Sequence, residues 1–423
     1  MKKRLLSLAL ILVMAVTMLA GCGEEKADVY YLNFKPEADA AWQELAKEYT
    51  ELTGVKVKVV TAASGEYSQT LTTEMGKSNA PTLFQCGNQA GLEQWDEYCL
   101  DLSNTDVYKE MTTDEFNLKN ANGEVKAIGY CYEAFGIIVN KALLKEAGYE
   151  VSDIKDFASL KAIAEDITAR KDELGFAAFT SAGLEGSSSW RFSGHLANMP
   201  LYYEFRDNNV TAQPATITGE YLDAYKNIWD LYINNATCAP SELSTKTGTA
   251  ATDEFGKGQA VFYQNGTWEY AGLIDTYGMK AEDLTMIPIY CGVEGEANAA
   301  LACGTENCWA VNAKVSEDQI QKTLDFMKWV VTSESGTKMM AKEFGPIPFK
   351  AAKESDNVFF TAANDLINEG KYVVTWAFNH TPNVDAWRAA VVSALTQYSG
   401  NGGSWDDVEK AFVDGWAEQY KAQ

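Results

Sequence analysis

The chain has 423 residues, a formal net charge of −24 and a hydrophobic content of 46%, ordinary for a globular protein. Its length exceeds a typical single domain and predicts two or more lobes. Its acidity repels nucleic-acid phosphates and anionic lipid head groups, so neither is an expected partner.

In chain order, Met1-Lys2-Lys3-Arg4 carries three positive charges and an apolar run follows from Leu5 to Ala20. That order is the pattern of a secretory signal. The run has 16 residues, short of the roughly 20 that a membrane-spanning helix needs. Leu19-Ala20-Gly21-Cys22 resembles the bacterial lipoprotein box, which implies cleavage before Cys22 and acylation of its sulfur. A plain secretory signal with an incidental cysteine is the alternative. Two acyl chains anchor a protein stably, so the resemblance implies a chain held on the extracytoplasmic face of the cell membrane, in a Gram-positive bacterium. Membrane contact would be through the anchor alone, with residues 22–28 as a tether. Without residues 1–21 the chain has 32 basic and 59 acidic residues, a net charge of −27.

Val29 to Leu32 reads as a short strand. Trp42, Leu45, Ala46, Tyr49 and Leu52 recur at helical spacing over Asp39 to Thr53, with Gly54 as the stop. Val55 to Val60, VKVKVV, alternates as a strand; a helix near Tyr67 to Gly76 and a strand at Pro81 to Phe84 follow. Strands and helices in alternation predict a parallel sheet covered by helices. Further on, Phe135 to Val139 reads as a buried strand, with a helix through Leu143 and Leu144 stopping at Gly148. Leu160 to Ala169 is helical, Gly175 to Phe179 a strand, and Tyr221 to Ile233 a helix. Ala260 to Tyr263 and Met286 to Ile289 are strands. Gln319 to Thr332, Val384 to Tyr398 and Trp405 to Tyr420 are helices.

Besides Cys22 there are seven cysteines, which cannot all pair; none stands in Cys-x-x-Cys, and His195 and His380 are the only histidines. No metal and no cofactor is expected. Most of the cysteines read as small buried residues, with Cys303 and Cys308 as a disulfide candidate. There is no Gly-x-Ser-x-Gly, P-loop or His-Glu-x-x-His motif. Gly400-Asn401-Gly402-Gly403 lies between helices and reads as a loop. No enzyme is expected.

Four stretches together resemble extracellular solute-binding proteins of family 1, the group of maltose-binding protein. They are Ala80-Pro81-Thr82-Leu83-Phe84, Phe135 to Leu144 running to Ala147-Gly148, Phe255 to Trp268, and Phe326 to Ser335 followed by Gly345-Pro346-Ile347-Pro348. The resemblance implies an α/β, two-lobed periplasmic-binding-protein-like fold of type II. Its lobes would be discontinuous, with residues 29–134 plus 304–345 in lobe I and 135–303 plus 346–423 in lobe II. Hinge crossings would lie near residues 134–140, 296–304 and 345–350. It further implies a monomer that captures a carbohydrate by lobe closure and hands it to the permease subunits of an ABC importer. A non-sugar solute is the nearest alternative, a surface glycosidase a distant one.

A sugar site needs aromatic plates for C–H faces and polar side chains for hydroxyls. Trp268, after Gly266 in the third stretch, is the first candidate, because family members place an aromatic plate there; core packing is the competing role. Trp190 and Arg191 follow a Gly-Ser-rich loop, Trp376 precedes a late helix, and Trp387 lies inside it, where helical spacing alone explains an apolar residue. Among polar candidates, Lys35 and Glu37 follow the first strand, Gln85 and Asn88 the Phe84 strand, Glu133 precedes the crossing strand, and Glu306 with Asn307 follows another crossing. Gly65 and Tyr67 would line the mouth. The aromatic count favours an oligosaccharide.

Overall fold

A computed structural model of the protein describes residues 27–423. The expected secretory signal, Cys22 and most of the expected tether therefore lie outside the described residues.

Among the described residues, twelve strands form two sheets. The first contains β1 (Val29–Asn33), β2 (Val57–Thr61), β3 (Leu83–Gln85), β4 (Leu118–Lys119), β5 (Val125–Gly129) and a late strand, β11 (Cys308–Val311), in the order β2-β1-β3-β11-β5-β4. β1 runs parallel to β2, with Tyr31 opposite Val59, and parallel to β3. β11 is antiparallel to both of its neighbours. All five residues of β1 are buried, as befits a strand covered by helices on both faces. One cover is the helix Asp39–Thr53, which turns Trp42, Leu45, Ala46 and Tyr49 inward.

The second sheet contains β6 (Glu133–Asn140), β7 (Ala177–Phe179), β8 (Ala260–Gly266), β9 (Leu284–Ile287), β10 (Ala299–Gly304) and β12 (Tyr372–Thr375), in the order β12-β10-β6-β8-β7, with β9 also on β6. All eight residues of β6 are buried. It is antiparallel to β8, β9 and β10. Each sheet has its own apolar cores, so the chain folds as two lobes.

Residues 130–132 carry the chain from β5 to β6, and residues 305–307 carry it back from β10 to β11. These two crossings lie side by side, with Tyr130 donating from its backbone to the Asn307 carbonyl at 3.0 Å. Ile347 and Phe349 pack in the first lobe, and Phe349 bridges Met111. The chain then passes into the helix Val358–Asn368, whose Phe359 and Ala363 pack in the second lobe.

Most expected elements occur within two or three residues, but the parallel sheet expected from alternating strands and helices is corrected: β11 runs antiparallel to β3 and β5, and β6 antiparallel to β8, β9 and β10. The VKVKVV strand begins at Val57, where its pairing with Val29 of β1 starts. The short strand expected at Met286 to Ile289 runs instead over Leu284–Ile287. Cys303 and Cys308 are both free thiols. One ends β10 and the other opens β11, so they belong to different sheets; the Cys308 thiol instead faces the Phe116 carbonyl.

Arg191–Leu196 forms a π-helical turn that continues into the helix Ala197–Asp207. Pro200 lies inside that helix and lacks the N–H that an α turn needs, and a π turn is one way to re-register the ladder beside such a gap. All six residues of the turn are buried.

Candidate functional site

The second-lobe wall of the interlobe cleft is built where three strands end together. In β6, Glu133 lies opposite Gly304 of β10, and Phe135 lies opposite Gly266 of β8. Both glycines make room for a ring. A Cβ on Gly266 would fall 2.2 Å from the Trp268 ring, and one on Gly304 would fall 2.6 Å from the Trp376 ring. The indoles thus press against the ends of the strands, Trp268 half-buried and Trp376 nearly covered.

The π turn delivers His195 between them. Its imidazole stacks on Phe135 at 3.9 Å and lies 5.5 Å from the Trp268 ring and 5.0 Å from the Trp190 ring. Phe135 continues to Trp376 at 5.5 Å, and Trp376 to Phe378 at 5.5 Å. The result is a continuous aromatic floor, with Phe135 and Phe378 buried in the second-lobe core and Trp190 and Trp268 partly exposed. Burial, then the cations Arg191 and Arg388, hold the His195 imidazole well below its ordinary value, so it is neutral.

Across from this floor, Lys35 points its ammonium at the Trp268 ring from 4.7 Å. The same ammonium donates to both Glu133 oxygens, at 2.8 and 3.1 Å, and lies 3.4 Å from exposed Glu37. Burial alone would lower the Lys35 pKa, but Glu133 and Glu37 raise it above the ordinary lysine value. Asn307 donates to Glu133 at 2.7 Å and accepts from the Tyr130 hydroxyl at 3.1 Å. The Tyr130 hydroxyl in turn accepts from the Gln85 amide at 3.0 Å. Glu306 stands half-buried beside Gly87. Burial raises its carboxyl, against Arg388 and Lys35, which pull it down.

Lys35, Glu37, Glu133, Glu306, Asn307, Trp190, Trp268 and Trp376 therefore come together at the cleft. The other expected residues are placed differently. Gln85 is buried in the first lobe, its carbonyl taken by the Phe34 amide at 2.8 Å and the Tyr31 hydroxyl at 3.3 Å. Asn88 caps the helix Gln89–Trp95 by accepting from Gly91. The Tyr67 hydroxyl donates to the Leu32 carbonyl and accepts from the Gln85 amide, bracing strands rather than facing outward. Gly65 does sit at the rim: a Cβ there would lie 3.3 Å from the Gly186 carbonyl of the other lobe. Beside it, Ser64 donates to the Ser187 carbonyl at 2.8 Å, so the rims touch.

Arg191 is 1% exposed and lies behind the floor, donating to the Tyr263 hydroxyl at 3.0 Å. Trp387 is fully buried and donates to the Phe412 carbonyl at 2.9 Å, which makes it core and not cleft. Helical spacing had already offered that role.

The reading from sequence missed His195, Phe135, Phe378, Arg388 and Glu269. Arg388 lies over Phe378 at 5.4 Å and keeps a buried Nε without a partner. Glu269 accepts from Asn265 at 2.8 Å, and burial pushes its carboxyl up to about 7. Its place directly after Trp268 in the Gly-Thr-Trp stretch was an available signal. Among the described residues, no three His, Cys, Asp or Glu side chains converge as a metal site would need, and no helix is long and apolar enough to cross a membrane.

The sequence profile of the bacterial extracellular solute-binding proteins matches residues 44–364. The chain belongs to this family. The solute-binding protein also shares its fold with solved structures. RafE in complex with raffinose is 18% identical, with 93% of this chain and 99% of that one covered and a TM-score of 0.72. The GacH receptor of Streptomyces glaucescens, solved unliganded and with acarbose, is 17% identical, with 93% and 98% covered and a TM-score of 0.70. A sugar transporter protein from Bacillus licheniformis in complex with stachyose is 15% identical, with 92% and 100% covered and a TM-score of 0.70. At such identities the likeness is one of fold. No curated protein matches this solute-binding protein in sequence.

Proposed function

We propose that this solute-binding protein captures an oligosaccharide between its lobes and presents it to the permease subunits of an ABC importer. The observation that carries the reading is the aromatic floor Trp268–His195–Phe135–Trp376–Phe378, faced by Lys35, Glu37, Glu133 and Glu306. Pyranose rings offer apolar C–H faces to such plates, and their hydroxyls pair with carboxylates, amides and cations at the edge. Several plates in a row suit several sugar units. The fold neighbours solved with raffinose, stachyose and acarbose support the same ligand class.

Closure explains delivery. The ligand bridges two walls and favours the closed form by its differential affinity, and the permease recognises that form. The protein acts as a monomer, releases its ligand unchanged and needs no cofactor. Its anchor is the acylated Cys22, on the extracytoplasmic face of a Gram-positive cell membrane. Metabolic labelling with an alkyne fatty acid tests that anchor: Cys22→Ala abolishes labelling if the reading holds.

The deciding experiment is calorimetric titration of the chain lacking residues 1–22 against a panel of α- and β-linked oligosaccharides. Saturable binding of one linkage class supports the reading. No binding across the panel overturns the sugar assignment.

A further inference from the structure

Behind the aromatic floor, the second lobe holds a small, partly open cavity of about 10 Å³ whose walls include Ser181, Arg191, Tyr232 and Gln264. That is room for one water-sized or monatomic occupant. All four side chains are buried, Arg191 and Ser181 to 1% exposure. Arg191 donates through Nη1 to Tyr263, but its Nε and Nη2 have no partner. The Ser181 hydroxyl, the Tyr232 hydroxyl and Gln264 Oε1 also have none. Buried polar groups are paired in roughly nine cases in ten, so five orphaned atoms around one cavity indicate an occupant.

Charge selects its kind. Among the described residues, no carboxylate forms an ion pair with Arg191; the buried Glu254 beside Ser181 accepts from the Ser181 backbone amide and the Thr237 hydroxyl and pairs with Lys246 instead. Glu269 feels its field, yet that carboxyl is turned to Asn265 and is pushed up to about 7 by burial, so it is only partly ionised at neutral pH. A buried guanidinium without a counter-charge is costly. A water fills the space and leaves the charge unbalanced. A halide accepts from Nε, Nη2 and both hydroxyls together and balances it. Gln264 suits either polarity: its amide nitrogen meets His195 Nδ1 at 2.9 Å, and exchanging tautomer and amide orientation turns an N–H into the cavity.

We propose that this cavity binds one small inorganic anion, chloride under physiological conditions, between the Arg191 guanidinium and the Ser181 and Tyr232 hydroxyls. The ion braces the π turn Arg191–Leu196, which carries His195 into the cleft. The inference holds whatever the cleft binds.

Two measurements test it on the chain lacking residues 1–22. Crystals soaked in sodium bromide should show one anomalous peak between Arg191, Ser181 and Tyr232. Melting temperature should rise and saturate as chloride replaces gluconate at constant ionic strength. Ser181→Ala, or Tyr232→Phe if the first variant does not fold, should need about tenfold more chloride for the same rise. A density without anomalous signal and identical melts in the two salts would assign the cavity to water and overturn the proposal. A bromide peak without a chloride-specific shift would mark an adventitious ion only and overturn it equally.

Discussion

Two regions of the cleft obey different rules. Beside the crossings, where Lys35 of the first lobe meets Glu133 of β6, the hydrogen bonds are used internally. Lys35, Glu133, Asn307, Tyr130 and Gln85 form one continuous chain of contacts at 2.7 to 3.1 Å. The second-lobe wall holds rings and unspent polar atoms, with Trp376 Nε1, Asn379 Oδ1, Thr381 Oγ1 and Arg388 Nε buried and unpartnered. A satisfied network is rigid and costly to disturb, and an unsatisfied surface gains from a ligand that completes it. One region is satisfied within itself, and the other keeps polar atoms unpaired.

Substitutions on each side can break that contrast. The largest effect is expected at Lys35→Met, which leaves Glu133 buried without its counter-charge and should cost about 3–5 kcal/mol of stability in urea unfolding. An unchanged midpoint would mean that this chain of contacts is not a coupled network. Next, Trp268→Ala should leave the fold largely intact, since the ring is half-exposed. It should weaken oligosaccharide affinity by about 2–4 kcal/mol, roughly 30- to 1000-fold, in calorimetry. A loss of stability without a loss of affinity would move the plate into the core.

The third effect is a pH dependence. The Glu269 carboxyl titrates at about 7 in the folded protein against an ordinary 4.5, so the folded chain holds a proton that the unfolded chain has released. Stability from this residue is therefore full below pH 4.5, falls as pH rises to about 7 and levels off above it. Glu269→Gln should flatten that segment of a stability profile measured by thermal melts. The smallest effect is expected at Ser64→Ala, which removes one rim contact worth about 0.5–1.5 kcal/mol. Small-angle scattering should show a more open unliganded form, with affinity reduced only a few-fold.

The fold was largely legible because its signals are local. The all-buried β6 read as a continuous apolar run, and the helix Asp39–Thr53 announced itself by Trp42, Leu45, Ala46 and Tyr49 at helical spacing. The site was half legible. Trp268 and Trp190 stood in motifs or loops that exposed them. The π turn hid His195, because six consecutive buried residues follow no amphipathic period. Gly304 and Trp376 come together only because β10 and β12 are neighbours, though 72 positions separate the two residues in the sequence. Gln85 and Tyr67 stood after strands, as binding residues do, but strand-end position does not say whether a side chain turns toward the cleft or back into its own lobe.

The side-by-side crossings at 130–132 and 305–307 have a consequence for how such a protein diversifies. Tyr130 and Asn307 belong to the crossings and also to the hydrogen-bonded chain around Glu133, so a mutation there alters how the lobes join along with the chemistry of the cleft. Trp190 and Trp268 lie outside both crossings, whereas Trp376 packs on Gly304, immediately before the second one. Anyone building a sensor for a chosen ligand on this chain would keep the crossings and re-specify Trp190 and Trp268.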